Sequence, residues 1–387
     1  MPNFHTPSIQ PLIYPHVEED VRFLWEATAG NETLILASCQ ETVFFLKQLR
    51  RANDFLVKGE KITRPSQVKL LQKALVAYEK ATNAQLTFSN IHTTKNRHEH
   101  LSKHLKSIEF FADGFEDSRE MWIEVGFGSG RHLLHQAAQN PEVLHVGIEI
   151  HKPSIEQVMK RCEAEGLDNV YLLDYDARIF MEFLRSNTVG RIFVHFPVPW
   201  DKKPHRRVIS KGFINEAIRV LKVNGTLELR TDSENYFEYS FGEFISLNKA
   251  KLTINKNQNL AVTSKYEDRW RRMEKNIYDI TLTNDLHSEQ TSLPQALVFD
   301  GKVDTKTLKE TFSKETLRGE SWFVHFEELY HITGNKLMIR VAFGANERGE
   351  HRFIVIEDEK ARYFPKEILS TGANKQAHMA ICEWLST

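Results

Sequence analysis

The stretch "MWIEVGFGSGRHL", residues 121–133, decides the fold of this chain. A short, mostly apolar run typical of a buried strand leads into three alternating glycines, and a helical pattern follows them. Glycines at a strand-to-helix turn let the backbone approach a ligand closely, and the first turn of the helix offers unpaired N–H groups. The pattern therefore predicts a nucleotide-type ligand at Gly126, Gly128 and Gly130, with a tight turn that binds nothing as the alternative.

The same texture continues along the middle of the chain. Between residues 115 and 285, helical segments separate five short apolar runs, "MWIEVGF", "VLHVGIEI", "VYLLDYD", "RIFVHFPV" and "GTLELRTD". Strands that alternate with helices build a mostly parallel sheet with helices on both faces. We therefore predict an α/β fold of Rossmann-like architecture for this part of the chain.

The two ends of the chain have a different pattern. Residues 20–58 contain short apolar runs between turn residues, which predicts a small antiparallel β unit followed by a helix. Beyond about residue 290, "ALVFDGKV", "SWFVHFEELYHIT", "KLMIRVAFG" and "HRFIVIED" return to β-like alternation. We divide the chain into an α+β N-terminal extension (1–110), the α/β domain (111–288) and a smaller β-rich C-terminal extension (289–387). The residues of the two extensions indicate no role for either.

Composition limits the classes of function. The 387 residues are 41% hydrophobic and 27% charged, and the formal net charge of −1 means that affinity for an anionic partner has to come from local clusters. The cysteines, Cys39, Cys162 and Cys382, have no disulfide or metal-site spacing and fit a reducing cytoplasm. No run of about 18 apolar residues indicates a membrane span. We expect a cytoplasmic protein that spans no membrane and binds no metal.

Three acidic residues at predicted strand ends indicate the ligand. Glu124 precedes the glycines, where a carboxylate suits a cationic amino-acid group better than a pyrophosphate. Glu149 ends the next strand, where an acid can bind vicinal ribose hydroxyls. After the third strand, Asp176, or less favourably Asp174, could accept from an adenine amino group, and the alternative for Asp176 is a helix cap. A ribose, an adenine and a cationic amino acid together predict S-adenosylmethionine.

A rigid basic loop, "FPVPWDKKPHRRV" at residues 196–208, follows the fourth predicted strand. Pro197 and Pro199 restrict its backbone, and ligands bind at the carboxyl ends of strands in such sheets. The cations that follow are positioned to neutralise the phosphates of a nucleic acid, and they are Lys202, Lys203, Arg206 and Arg207. A solvated run of charges is the alternative.

Taken together, these motifs resemble those of the bacterial tRNA (guanine-N7-)-methyltransferases, the TrmB family. "EVGFGSG", "GIEIHKPSI", "FPVPWDKKPHRR", "LELRTDSENYFEYS" and "SKYEDRW" follow the order of that family and cover roughly residues 115–285. The resemblance implies a class I S-adenosylmethionine-dependent methyltransferase fold, with tRNA as the partner. It further implies methylation of N7 of the variable-loop guanosine, position 46 in tRNA numbering. The two terminal extensions lie outside the resemblance.

The resemblance also assigns roles to residues. It implies cofactor binding by Glu124, Glu149 and Asp176. It implies a guanosine site formed by Thr231, Asp232, Ser264 and Glu267, with Ser264 at a position where the family usually has threonine. The arginines that follow are expected to contact the tRNA backbone or to lie on a solvent-exposed helix face, and they are Arg269, Arg271 and Arg272.

One position departs from the family pattern. The family loop reads FPDPW, and its aspartate is counted among the substrate-binding and catalytic residues, whereas this chain has Val198 there. The N7 atom of guanine already carries a lone pair, so methyl transfer needs no base, and alignment supplies much of the acceleration. We expect Val198 to contribute shape only and Asp201 to replace the acid at most in part. No catalytic residue is assigned with certainty.

Two other functions are compatible with these residues. The first is methylation of a different RNA, such as rRNA, by the same fold. The second is a tRNA-binding protein without catalysis, which the absence of the loop aspartate would permit. Nothing in the sequence indicates the oligomeric state.

Overall fold

The computed structural model describes residues 2–65, 67–91, 102–112, 114–260, 262, 267, 272–291, 297–334, 336–346 and 348–386. It divides the chain into two compact units. One comprises residues 99–294 and is called the central unit here. The other combines residues 1–98 with residues 295–387 and is called the terminal unit.

The N-terminal region forms antiparallel strands and one helix. Its elements are β1 (Asn3–Thr6), β2 (His16–Glu18), β3 (Val21–Ala29), β4 (Glu32–Cys39), β5 (Thr42–Arg50), β6 (Phe55–Gly59), α1 (Val68–Ala81) and β7 (Phe88–Ser89). Strands β3 to β6 pair in sequence order, as the alternation of apolar runs and turns predicts. Helix α1 buries Leu71, Leu75 and Tyr78, which helical spacing places on one face, in the core beside these strands.

The central unit contains the alternating strands and helices. Its elements are α2 (Ile108–Ala112), β8 (Met121–Val125), α3 (Arg131–Gln139), β9 (Leu144–Glu149), α4 (Lys152–Glu165), β10 (Val170–Asp174), α5 (Ala177–Phe180), β11 (Val189–His195), α6 (Lys211–Val220), β12 (Leu221–Thr231), α7 (Glu234–Ile245), β13 (Lys251–Lys256) and β14 (Tyr278–Thr283). The hydroxyls of Ser210 and Ser233 cap α6 and α7 by accepting backbone N–H bonds.

The sheet of the central unit has the order β10-β9-β8-β11-β12-β14-β13. The first five strands in this order are parallel to one another, β14 runs antiparallel to β12, and β13 pairs antiparallel with β14. All five residues of β8 are buried, as expected for a strand covered on both faces. The strand order reverses between β8 and β11, and ligands of open α/β sheets bind outside the carboxyl ends at such a point. The predicted α/β architecture is therefore present.

The C-terminal region forms a second set of antiparallel strands. Its elements are α8 (Thr305–Thr311), β15 (Thr316–Arg318), β16 (Trp322–Ile332), β17 (Lys336–Ala345), β18 (Arg348–Glu357), β19 (Lys360–Phe364) and α9 (Gly372–Leu385). The run "ALVFDGKV" differs from its prediction, since its described part forms only an isolated bridge between Lys302 and Lys360. Phe299 packs against the rings of Tyr363 and His378 instead of alternating in a ladder. Across the described ranges, no helix has both the length and the apolar composition to cross a bilayer.

The two ends of the chain form one unit, which corrects the prediction of two separate extensions flanking the domain. Strand β16 pairs with β3 through His331↔Thr28 and Ile332↔Ala27, so both sets of strands belong to a single sheet. Each half contains four strands that pair in sequence order, β3 to β6 and β16 to β19, with a helix after them. The unit boundaries also fall at 98/99 and 294/295 rather than at 110/111 and 288/289.

Candidate functional site

A pocket lies at the carboxyl ends of the central strands, where the strand order reverses. It is lined by side chains and backbone from the ends of β8 and β11, the start of α3, and the chain between β13 and β14. The lining residues are Glu124, Gly126, Phe127, Gly128, Ser129, Arg131, His132, His195, Phe196, Leu260, Val262 and Glu267. Two of the three predicted glycines, Gly126 and Gly128, therefore share one pocket with two of the predicted acids, Glu124 and Glu267, whereas Gly130 is not part of its lining.

The glycine loop has a backbone that other residues rarely adopt. Gly126, Gly128 and Gly130 have φ angles of 71°, 52° and 69°. A Cβ added to Gly126 would meet no heavy atom within 4 Å, and one added to Gly128 would meet only a backbone oxygen at 4.0 Å. The loop therefore faces open space that a side chain would fill, which is the space a closely bound ligand needs. At Gly130, in contrast, a Cβ would lie 2.4 Å from Cγ2 of Val158.

The different surroundings of Gly128 and Gly130 predict different effects when each is replaced by alanine. We expect Gly130→Ala to lower the free energy of unfolding by about 2 kcal/mol or more, because the methyl group would clash with α4. Gly128→Ala should cost only the left-handed strain of about 1 kcal/mol, while its methyl group occupies the pocket and weakens ligand binding. Chemical denaturation measures the first effect and calorimetric titration the second. Gly212→Ala, in α6 with nothing within 4 Å of the added carbon, is the control and should not lose stability.

Glu124 points into a nearly dry environment beside the glycine loop. It is buried at the end of β8, and its carboxylate accepts a hydrogen bond from Nδ1 of His132 at 2.7 Å. Burial alone would lower the pKa of His132, and the charge and hydrogen bond of Glu124 outweigh it, so that this pKa is raised. A carboxylate held in this way can bind an ammonium group that enters the pocket.

Glu149 is fixed by the backbone around it. One carboxylate oxygen accepts from the N–H of Gly128 at 3.0 Å, and the other accepts from the N–H groups of Ile150 and His151. In the parallel register Glu149 lies opposite Asp174, at the carboxyl ends of β9 and β10. The carboxylate is thereby oriented at the glycine loop, and its remaining lone pairs can accept from ribose hydroxyls.

Asp176 has the helix-cap geometry that was its alternative interpretation. Its carboxylate accepts from the backbone N–H of Arg178 at 2.9 Å and pairs with the guanidinium of the same residue at 2.8 Å. Asp174 is more exposed and lies 3.7 Å from Nζ of Lys152. The cap accounts for Asp176 without a ligand, and its contact with an adenine stays a prediction.

Two further polar residues of the pocket region were not predicted from the sequence. His195, at the end of β11, interacts through Nε2 with Glu228 of β12 at 2.7 Å. The ring of His195 also lies 4.6 Å from the ring of His132, centroid to centroid. Burial would raise the pKa of Glu228, but the hydrogen bond and charge of His195 lower it. These two residues could have been noticed in the sequence because they interrupt apolar strand runs. Polar side chains rarely lie in buried strands unless they have hydrogen-bond partners.

The proline-framed loop leaves β11 with a constrained backbone. Phe196 and Trp200 have φ angles of 50° and 48°, and Pro197 and Pro199 lie between them. The N–H of Phe196 donates to the carbonyl of Arg230 at 2.7 Å, which fixes the loop to β12. Val198 is 62% exposed, so it occupies the outer surface of the loop. The prolines and this hydrogen bond restrict the backbone of the loop where Phe196 lines the pocket.

The four basic residues of the loop divide into two groups. Arg207 is only 7% exposed, and its guanidinium donates to the carbonyl of Pro199 and to Asp201. It also lies over the rings of Tyr236 and Tyr239, so it stabilises the loop rather than facing a phosphate, which differs from the prediction. The exposed cations are Lys202, Lys203 and Arg206, with Arg206 over the ring of Trp200. Asp201 is held by Arg207 and is not directed at the pocket by any contact described.

Glu267 belongs to a buried ion cluster. Its two carboxylate oxygens accept from Nε of Arg230 at 3.1 Å and from Nη2 at 2.7 Å. Arg230 also donates to Asp279 and to the carbonyl of Gln258. Arg230 and Glu267 are 0% and 1% exposed, and burial raises the pKa of Asp279 despite the guanidinium beside it. Arg230, which orients Glu267, and Asp279, which pairs with Arg230, were not predicted from the sequence.

The remaining predicted guanosine-site residues follow the end of β12. Thr231 is buried, and its hydroxyl accepts from the N–H of Ser233 at 3.1 Å, before α7. Asp232 pairs with Lys275 at 3.0 Å. Ser264, Arg269 and Arg271 lie outside the described residues, and Arg272 is exposed. Neither Thr231 nor Asp232 is among the residues that line the pocket.

The strand order, the glycine loop and the acid beside it define a methyltransferase domain, and comparison with known proteins agrees. The methyltransferase family model Methyltransf_4 matches residues 118–280. Among solved structures, a 16S rRNA methyltransferase, KamB, is similar over 46% of this chain and 92% of that chain. Its sequence identity of 17% and TM-score of 0.34 are too low to bear on function.

Curated relatives identify the family. The tRNA (guanine-N(7)-)-methyltransferase of Wolinella succinogenes is 43% identical over 100% of both chains. That of Campylobacter fetus is 41% identical over 100% of this chain and 99% of its own. This chain belongs to the tRNA (guanine-N(7)-)-methyltransferase family. The similarity includes the terminal regions, for which the motif pattern gave no counterpart.

Proposed function

We propose that this enzyme transfers a methyl group from S-adenosylmethionine to N7 of a guanosine in tRNA, at position 46 of the variable loop. The observation that carries the proposal is the single pocket shared by the donor-side residues and Glu267. Its lining includes Gly126, Gly128 and Glu124 as well as Glu267, the acid of the proposed guanosine site. Such an arrangement brings two reactants together, which is most of what this reaction requires.

The residues present fit the methyl donor. A Cβ at Gly126 or Gly128 would meet open space, so a ligand can approach the backbone there, and we assign the ammonium group of the donor to Glu124 and its ribose hydroxyls to Glu149. When bound, the donor supplies an electrophilic sulfonium methyl group. Val198 cannot exchange a proton, and none has to be removed from N7 before transfer. The proposed role of the chain is therefore orientation of the purine and exclusion of water.

Charge changes on the purine give Glu267 its proposed role. Methylation at N7 places a positive charge on the guanine ring, and a buried carboxylate stabilises charge that develops nearby. Arg230 holds Glu267 in a bidentate pair, so the carboxylate does not have to reorganise as the charge forms. We assign neutralisation of tRNA phosphates to the exposed cations of the loop after β11, which are Lys202, Lys203 and Arg206.

A methylation assay on an unmodified tRNA transcript tests the proposal. We expect labelled methyl groups to appear in tRNA, and chemical cleavage at N7-methylguanosine to map them to position 46. A transcript with adenosine at position 46 is the matched control and should take up no label. Label in ribosomal RNA instead would favour the alternative substrate, and donor binding with no methyl transfer would favour a non-catalytic tRNA-binding protein.

A further inference from the structure

Two histidines and two glutamates form a connected cluster under the donor side of the pocket. Glu124 and His132 are one pair, and Glu228 and His195 are the other, each with a nitrogen–oxygen distance of 2.7 Å. The two imidazole rings lie 4.6 Å apart and are tilted by 58°. Phe193 packs edgewise against both rings and excludes water from one side of them. The cluster is therefore a hydrogen-bonded polar network in mostly apolar surroundings, where a change in the protonation of one member strongly affects the charges beside it.

The orientation of His132 makes it relevant to Glu124 in particular. Its Nδ1 atom faces the carboxylate, and its Nε2 atom lies 3.3 Å from the amide nitrogen of Gln136, one helical turn further along α3. The ring is thus held at both nitrogens, and it holds the carboxylate in turn. His132 and Glu124 also both line the pocket.

We propose that His132 is a positioning residue that fixes the Glu124 carboxylate for the ammonium group of S-adenosylmethionine, and that its protonation competes with this ammonium group. The proposal deepens the proposed function and rests on the assignment of the donor. A neutral His132 leaves the full charge of Glu124 to the ligand. A protonated His132 compensates that charge and repels the ammonium group, so donor binding should weaken as the pH falls and should release a proton.

The other charges around His132 set the limits of this effect. Glu228 and Arg230, both on β12, act on it with opposite signs, and His195 on β11 is a second group that could titrate. His145 on β9 lies nearby, and burial lowers its pKa to about 4, so it stays neutral in the range concerned. Arg131 precedes His132 and is a cation of the pocket lining. The imidazoles to compare by substitution are therefore those of His132 and His195.

Calorimetric titration of the full-length protein with S-adenosylmethionine tests the proposal. Because the pKa of His132 is raised above its ordinary value, we expect the affinity to fall by about fivefold between about pH 8 and about pH 6, with a buffer-dependent enthalpy that reports proton release. His132→Asn keeps an N–H donor close to the position of Nδ1 but cannot titrate. It should bind the donor within about threefold of the unmodified protein at pH 7.5, without pH dependence or proton release. His132→Leu removes the donor and should bind about tenfold more weakly.

Three comparisons decide between this role and others. His195→Gln replaces the second imidazole and keeps a donor close to the position of Nε2, and the pH dependence should survive in it. His287→Asn, an exposed control in the same unit, should behave as the unmodified protein. Thermal unfolding of each variant checks that it is folded. The proposal fails if His132→Asn keeps the pH dependence, or if His195→Gln abolishes it. Absence of donor binding by the unmodified protein would overturn the proposed function as well.

Discussion

Replacement of Glu267 by alanine is expected to abolish methyl transfer and to lower the free energy of unfolding by about 3–5 kcal/mol. The loss of stability is expected because Arg230, the ion-pair partner of Glu267, remains buried in the variant. Arg230 is fully buried, and Glu267 accepts two of its hydrogen bonds, so the alanine variant keeps a buried guanidinium that retains its ion pair with Asp279 but has lost the one with Glu267. Loss of activity in this variant alone would therefore not distinguish a catalytic role from misfolding.

Glu267→Gln separates the two roles. The amide keeps the size of the side chain and one oxygen for Arg230, so the variant should remain folded and should lose less stability than the alanine variant. Without the negative charge, we expect methyl transfer to fall by about 100-fold, because the cation that forms on guanine loses its counter-charge. Single-turnover methylation of tRNA measures the rate of methyl transfer, and chemical denaturation measures the free energy of unfolding. Calorimetric titration checks that the variant still binds the donor. A folded Glu267→Gln variant with unchanged activity would remove Glu267 from the mechanism.

Local patterns predicted the five parallel strands of the central unit, but not the antiparallel pair β13 and β14. Each parallel strand contains a short apolar run with buried residues, from the fully buried β8 to the partly exposed β12, so these runs identify β8, β9, β10, β11 and β12 directly. The terminal unit could not be predicted in the same way. Its two halves pair through Ala27 and Ile332, which are about 300 positions apart in the sequence. The local alternation of apolar and polar residues does not indicate which distant strand a given strand pairs with.

Some features of the candidate site were also predictable from the sequence, and others were not. Glu124 and the glycines were predictable because their chemistry depends on the position after a strand, which the sequence displays. The partners of side chains depend on burial, which the sequence does not display. Arg206 and Arg207 are neighbours in one basic run, yet the first is exposed and the second is buried under two tyrosines. Glu267 was predicted, while Arg230, which orients it, was not.

Removal of residues 295–387 is expected to unfold residues 1–98 and to leave the donor site intact. Strands β3 to β5 share a hydrophobic core with β16 to β19, in which Phe45 contacts the rings of Phe353 and Phe364. Glu32 of the N-terminal half accepts from Tyr330 at 2.6 Å and from Arg340 at 3.0 Å. The truncated chain would expose that core face and lose both hydrogen bonds, which together exceed the net stability of about 5–15 kcal/mol typical of a domain.

Limited proteolysis with mass spectrometry tests this prediction. In the full-length protein we expect residues 3–59 to resist cleavage, and in the truncated chain to be cut at a rate typical of an unfolded segment. All the residues that line the donor pocket belong to the central unit, so donor affinity should change by less than about threefold.

Tyr330→Phe in the full-length chain is the control, because it removes a side-chain hydroxyl that bonds to Glu32 and leaves the shared core in place. Its free energy of unfolding should fall by about 1–2 kcal/mol. Protection of residues 3–59 in the truncated chain would show that the N-terminal half folds without its partner strands, and that the shared sheet is an association of two independent halves.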